Sequence, residues 1–428
     1  MEKVFTTTIK TALICLSMII ALTAGKSTDV NAADTFKIGY IDPRTGPFEY
    51  IGRGYLVGLQ FIVDEQNAKG GLLGKKIEII AEDSELKPDV AIRKAKKLLL
   101  EDKVDILCTG TGSHVVTALN KVATEYKKVL INYATFSDTC QGKDFSRYVF
   151  RTTQNNYNLT AAQAKYMASM PYRKYYIICQ DYVFGHDIAK GFKTQLSKYL
   201  PDAKIVGEDF HPLANKDFAP YINKIIASKA DAVYSANWGP DGSLMVKQAR
   251  ALGLKAPFPF VMPISGNDPY FMNELKDDAV GVYSCYNYDM RIDMPENKAF
   301  IERYHAKHKN DKDFLTWWPA MLPWQTIMGF GMTFAAIEKA GSFDAEKIIN
   351  AYEGFQWKSP IGLMQMRACD HQNLQPMVAG VVKPGLNPWY NGSIRPDVKF
   401  PWMGPDVVVY SPNEVAIPAT PDYNPRCK

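Results

Sequence analysis

Short apolar or alternating runs recur along the chain: Phe36 to Ile41, Ile77 to Ala81, Asp105 to Gly110, Val129 to Tyr133, Tyr175 to Cys179, Ile205 to Glu208, Ala232 to Ala236 and Phe258 to Met262. Their length and content are those of β-strands. Between most of them lies a helix-sized piece. Tyr55, Leu59, Ile62 and Val63 share one face of the first, and Ala91, Ala95, Leu98 and Leu99 share one face of the second, which opens after Pro88. Repeated βα units predict an α/β fold with doubly wound, mainly parallel sheet covered by helices on both faces. On such sheets ligands bind at the carboxyl ends of the strands, so the loops there are the first place to look for chemistry.

Two uncharged runs depart from this alternation. Thr11 to Gly25 follows Lys3 and Lys10 and precedes the small-residue site Val30-Asn31-Ala32, so residues 1–32 have the form of a secretory leader cleaved near Ala32. Cys15 follows the bulky Ile14 and is itself followed by apolar residues, which argues against lipidation. Leu315 to Ile337 is long enough to span a membrane, but Pro319, Pro323, Gly329 and Gly331 interrupt it. Ile327, Phe330, Phe334 and Ile337 recur at helical spacing, so a buried core helix after Pro323 is predicted and no membrane span.

Composition narrows the class. A chain of 428 residues, even without its leader, is too long for one compact core and suits two lobes. With 46% hydrophobic and 22% charged residues it lies in the range of soluble globular proteins and outside that of disordered chains. A net charge of only +5, without a clustered basic stripe, excludes a nucleic-acid partner. Beyond the leader stand Cys108, Cys140, Cys179, Cys285, Cys369 and Cys427, none in the close pairs of a zinc or redox motif. Export permits disulfides without fixing their partners, while Cys108 and Cys179, inside strand-like runs, read as small core residues.

The loops carry the informative motifs. Asp42-Pro43-Arg44-Thr45-Gly46-Pro47 follows the first strand, and Asp64 to Asp83 reads DEQNAKGGLLGKKIEIIAED, in which paired glycines end a helix and Gly74 permits a tight turn. This run resembles the NAxGGxxGxxIxxxxxD signature of type I periplasmic solute-binding proteins, the leucine/isoleucine/valine-binding family of ABC importers. Gly110-Thr111-Gly112-Ser113 resembles the family's glycine-serine loop, and Tyr148 to Thr152 its "yvFRT" crossover. Asp181 to Gly185 (DYVFG), Lys216-Asp217-Phe218 and Lys247 to Gly253 (KQARALG) are similar to its second lobe.

The resemblance implies two lobes joined by three crossovers and closing on a ligand by hinge motion. The crossovers are expected near Arg151 to Thr153, Ser284 to Tyr288 and Arg367 to His371. Lobe 1 would then be 33–151 with 286–367, lobe 2 would be 152–285 with 368–383, and 384–428 a proline-rich tail packed on the surface or loosely held. The implied function is capture of a small organic ligand (an aromatic or aliphatic carboxylate, an amide or a hydrophobic amino acid) in the periplasm for an ABC permease of the inner membrane. The protein is expected to be a monomer with no cofactor. A sensor on the same fold is the alternative, and a hydrolase a distant third.

Carried over residue by residue, the resemblance puts Ser113 and the adjacent His114 at a helix N-terminus in the cleft, where hydroxyl and amide groups hold a carboxylate. An ordinary N-cap serine is the competing reading. Ala134-Thr135 resembles a second polar anchor. Tyr50, Phe184 and Trp238 align with cleft aromatics, against the alternative of plain core packing. Ile264 stands where amino-acid-binding relatives have an acidic residue that pairs with the ligand's ammonium group. That group is expected to be missing, which favours acids without a free amine. Asp241 or Asp268 could replace it, but each also suits a helix cap or turn.

The enzyme reading is weak. Ser113 and His114 are neighbours whose side chains diverge on a helix, so they form no dyad. Glu302, His305 and His308 share a helix face that could hold a metal, but Lys307 and Lys309 mark it as solvated. Asp370 and His371 fall at an expected crossover and are read as hinge residues. No catalytic and no metal site is expected.

Overall fold

The computed structural model describes residues 35–385, 401–404 and 406–427. The leader expected at residues 1–32, with Cys15, and residues 386–400 of the tail lie outside the described residues.

The first sheet contains β1 (Thr35–Asp42), β2 (Lys76–Asp83), β3 (Ile106–Thr109), β4 (Leu130–Asn132) and β5 (Val149–Arg151), in the order β2-β1-β3-β4-β5. Helices α1 (Glu49–Ala68), α2 (Pro88–Leu100) and α3 (Ser113–Tyr126) connect its first four strands. From β1 to β5 the pairing is parallel, with Leu107 opposite Leu130 and Ile131 opposite Phe150. Strands buried on both faces read as continuous apolar runs, and β3, β4 and β5 are buried at every position.

The chain then enters a second unit of the same kind. Helix α4 (Asn156–Ala168) leads to β6 (Lys174–Gln180), α5 (Val183–Tyr199), β7 (Lys204–His211), α6 (Ala219–Ser228), β8 (Ala232–Tyr234), α7 (Pro240–Ala251), β9 (Phe260–Val261), α8 (Pro269–Leu275) and β10 (Val282–Tyr286). These five strands are parallel. Next, α9 (Pro295–His308), α10 (Leu322–Ala340), α11 (Ala345–Tyr352) and the antiparallel set β11 (Gln356–Ser359), β12 (Gly362–Met366) and β13 (Asn373–Leu374) return to lobe 1. Finally β14 (Met377–Lys383) joins β10 in lobe 2, and β15 (Trp402–Met403) and β16 (Val408–Tyr410) both pair with β14.

The uncharged stretch becomes the core helix α10, with Ile327, Phe330, Phe334 and Ile337 buried. Among the described residues no helix is long and apolar enough to cross a membrane. Helix α10 packs on α1 at unusually short range. A Cβ on Gly58 would lie 2.2 Å from the Pro323 carbonyl oxygen and 2.4 Å from Thr326 Oγ1. Thr326 Oγ1 also donates to the Tyr55 carbonyl at 2.8 Å, so glycine here serves close approach of two backbones.

The first crossing of the lobes spans 152–155 and the second follows Tyr286. The third falls at Gln375-Pro376 rather than at Arg367 to His371, because Asn373-Leu374 still pairs with β12. The earlier residues form a turn instead: Arg367 Nε donates to Asp370 Oδ1 at 2.9 Å, and His371 takes a φ of 54°. The end of the chain also differs from the surface tail expected. Trp402 and Met403 are buried, β15 and β16 extend the sheet of lobe 2, and Cys427 is disulfide-bonded to Cys369. Cys108, Cys140, Cys179 and Cys285 are free and buried.

Candidate ligand-binding cleft

The loop after β3 begins the site. Asp42, at the end of β1, is fully buried and accepts from the amides of Gly110 at 3.0 Å and Thr111 at 2.7 Å, and from the Tyr133 hydroxyl. Burial pushes its carboxyl up to about 7. This anchorage sets the path into Gly112, whose φ of 83° places it in a region natural to glycine and whose position is the N-cap of α3. Ser113 is therefore the first residue inside the helix and not its N-cap. The first amides of a helix have no acceptor within it, so the start of α3 is a place that favours a negatively charged group.

These residues line a cavity between the lobes. Lobe 1 supplies Tyr50, Tyr55, Thr111, Ser113, Ala134, Thr135, Phe136, Met321 and Leu322; lobe 2 supplies Tyr182, Phe184, Trp238, Ile264, Asp268 and Tyr286. Every site residue expected from the sequence lines it except His114. That ring turns away, with Nε2 3.1 Å from the Leu86 carbonyl oxygen and its edge against Tyr182 at 5.7 Å. Thr135 is present but gives its hydroxyl proton to Asn132 Oδ1 at 2.7 Å, so toward the cavity it offers an acceptor and a methyl group rather than a donor.

Aromatic rings make the walls and meet across the cleft. Tyr50 stacks on Tyr270 at 4.2 Å, Phe48 lies 4.9 Å from Trp238, and Phe136 lies 6.1 Å from Phe184. Trp238 Nε1 donates to the Tyr182 hydroxyl at 2.8 Å, fixing the indole plane. At the rim, the hydroxyls of Ser137 and Thr139 in lobe 1 donate to Asp187 of α5 in lobe 2. Both lobes therefore touch, and the cleft is closed.

Ile264 lines the cavity, and of the two possible replacements for an acidic residue there, Asp268, four residues on, is the one that lines it too. Asp268 caps α8, accepting from the Tyr270 amide at 2.9 Å, and stands beside the Tyr50 hydroxyl; burial raises it to about 7. Asp241 is spent elsewhere, on Gln180 Nε2 at 2.8 Å and the Ala214 amide at 2.9 Å. The His305–His308 face is also engaged: His305 stacks on Trp317 at 3.7 Å, and His308 Nδ1 lies 2.7 Å from Asp311.

A family model described as "Periplasmic binding protein" matches residues 35–387. The chain belongs to the periplasmic binding protein family. Among periplasmic binding proteins, it is 25% identical over 378 residues to Leu/Ile/Val-binding protein homolog 4 of Brucella abortus, covering 85% of this chain and 86% of that one. It is 26% identical over 344 residues to the leucine-, isoleucine-, valine-, threonine- and alanine-binding protein of Pseudomonas aeruginosa, covering 79% and 87%. In fold it matches an ABC-transporter solute-binding protein of R. palustris solved in complex with 4-hydroxybenzoate (TM-score 0.75, 24% identity, 88% of this chain and 97% of that one). It also matches the closed conformation of a leucine-, isoleucine-, valine-, threonine- and alanine-binding protein from Brucella ovis (TM-score 0.77, 22% identity, 92% and 98%).

Tyr182, Phe136 and Tyr286 were not anticipated as lining residues. Tyr182 lies in the DYVFG motif two positions before Phe184, so the motif held the signal. Met321 and Leu322 come from a distant segment, and only the fold brings them in.

Proposed function

We propose that the chain is the exported, monomeric substrate-binding component of an ABC importer, freed of its leader near Ala32 and delivering a small apolar organic acid to an inner-membrane permease. The observation that carries this reading is the make-up of the cavity: a helix N-terminus at one side, aromatic walls, and a buried carboxyl contributed by the other lobe. A ligand carboxylate at the start of α3 receives the amides of Ser113 and His114 and faces the Ser113 hydroxyl. Its apolar body lies against Tyr50, Tyr182, Phe184 and Trp238.

Asp268 adds a second criterion. A ligand presenting only hydrocarbon to it would bury a carboxyl without a new partner, whereas a hydroxyl or ammonium donor pairs with it. Leucine and 4-hydroxybenzoate, which figure in the names of proteins similar to this one, are both acids with such a second donor. Calorimetry with benzoate, 4-hydroxybenzoate and leucine tests this. At least one of the latter two should bind tenfold tighter than benzoate, a difference of ~1.4 kcal/mol, and Asp268→Asn should remove most of that margin. Benzoate binding as tightly as both, or a margin untouched in the variant, would show that Asp268 does not read the ligand.

A further inference from the structure

The family match ends at residue 387, and the described chain beyond it runs from lobe 2 back to lobe 1. On lobe 2, Lys165 of α4 pairs with Glu414 at 3.0 Å, and Asn158 Nδ2 donates to the Val415 carbonyl at 2.7 Å. Two residues later the contacts change side. Arg367 Nη1 donates to the Ile417 carbonyl at 2.7 Å, Asn424 Nδ2 to the Gln141 carbonyl at 2.8 Å, and Arg426 Nη2 to Glu353 Oε1 at 2.8 Å. The Cys369–Cys427 disulfide then joins this end to the β12–β13 turn. We infer that residues 411–427 are a fourth tether between the lobes, locked by this disulfide, which restrains opening of the cleft and positions its rim.

The rim contacts give the tether its leverage. Asn424 is fully buried under the segment 137–142. Arg151, fully buried at the first crossing, links the same parts: Nη1 donates to the Ser137 carbonyl at 2.6 Å, Nη2 to the Tyr423 hydroxyl at 3.3 Å, and Nε to Gln372 Oε1 at 2.6 Å. Ser137 is the residue whose hydroxyl reaches Asp187 across the closed cleft. Tyr423 and Asn424 are thus positioning residues: they touch no cavity surface but support the segment that closes it. Covalently, the disulfide encloses the third crossing in a ring, so separating the lobes must strain the ring or unseat the tail.

The inference does not depend on the identity of the ligand, and its test needs none. Small-angle scattering is measured on the ligand-free full chain as wild type, as wild type with the disulfide reduced by a phosphine, as Cys427→Ser and as Asn424→Ala. A compact chain of this size has a radius of gyration of about 22 Å, and release of the tether should raise it by roughly 1 Å or more in the reduced and Cys427→Ser samples. Asn424→Ala should give a smaller rise, and re-oxidation of the reduced wild type should reverse the change with secondary structure unaltered throughout. If Cys427→Ser fails to fold, the reduced wild type, confirmed by thiol titration, decides. An unchanged radius in that sample overturns the tether.

Discussion

Asp268 is a residue whose proton is coupled to folding. Burial raises it to about 7, so between its ordinary value near 4 and about 7 the folded, ligand-free protein holds a proton that the unfolded chain releases. Its contribution to stability therefore falls as pH rises through that window, by up to about 1.4 kcal/mol per pH unit. Asp42 and Asp138, each raised to about 7 by burial, act in the same sense. His114, His305 and His371, which burial pulls down, act in the opposite one. The net slope mixes these effects, so the difference between Asp268→Asn and wild type isolates the carboxyl. In urea unfolding without ligand, the variant should gain about 1–3 kcal/mol relative to wild type between pH 4.5 and 7. A pH-independent difference would mean that Asp268 ionises as an ordinary surface carboxylate does. Much of this chemistry was legible in the sequence, because Ser113, Ala134, Thr135, Phe184 and Trp238 all follow strand ends. What was not legible is where a proton goes: Thr135 spends its hydroxyl on Asn132, and Asp268 serves a cap and a cavity at once.

At the level of elements, the contact between α1 and α10 tolerates no side chain at Gly58. Ala at this position would place its Cβ 2.2 Å from a backbone oxygen, and a backbone atom cannot rotate away as a side chain can. Gly58→Ala should destabilise the protein by about 3 kcal/mol or more, despite the better helix propensity of alanine. A denaturation midpoint equal to that of wild type would show that the two helices separate at little cost. Parallel strands β1 to β4 and β6 to β9 announce themselves as short apolar or alternating runs, and the first helices through their apolar faces. The remaining strands do not. β5 and β10 overlap the segments expected as crossovers near Arg151 to Thr153 and Ser284 to Tyr288, and β11 to β16 are short or antiparallel pieces whose pairing depends on partners far away in sequence.

For the whole molecule, closure joins Ser137 and Thr139 to Asp187 and brings Phe48 against Trp238, contacts that exist only while the lobes meet. Saturating 4-hydroxybenzoate or leucine, whichever binds, should slow amide exchange in 136–142 and 182–188 by tenfold or more relative to the ligand-free protein. Tight binding without that protection would separate binding from closure. The two-lobe plan was legible because one motif set spans most of the chain, whereas the route of the tail was not, since six unpaired cysteines allow 15 full pairings. The close seam of α1 and α10 has a consequence in time. Tyr55 and Thr326, hydrogen-bonded across it, are 271 residues apart. During synthesis all the parallel strands of lobe 2 emerge between them, so lobe 2 has its β6–β10 layer before lobe 1 has its last covering helix. For most of its elongation the nascent chain carries an unfinished first lobe, with the face of α1 that meets α10 still uncovered.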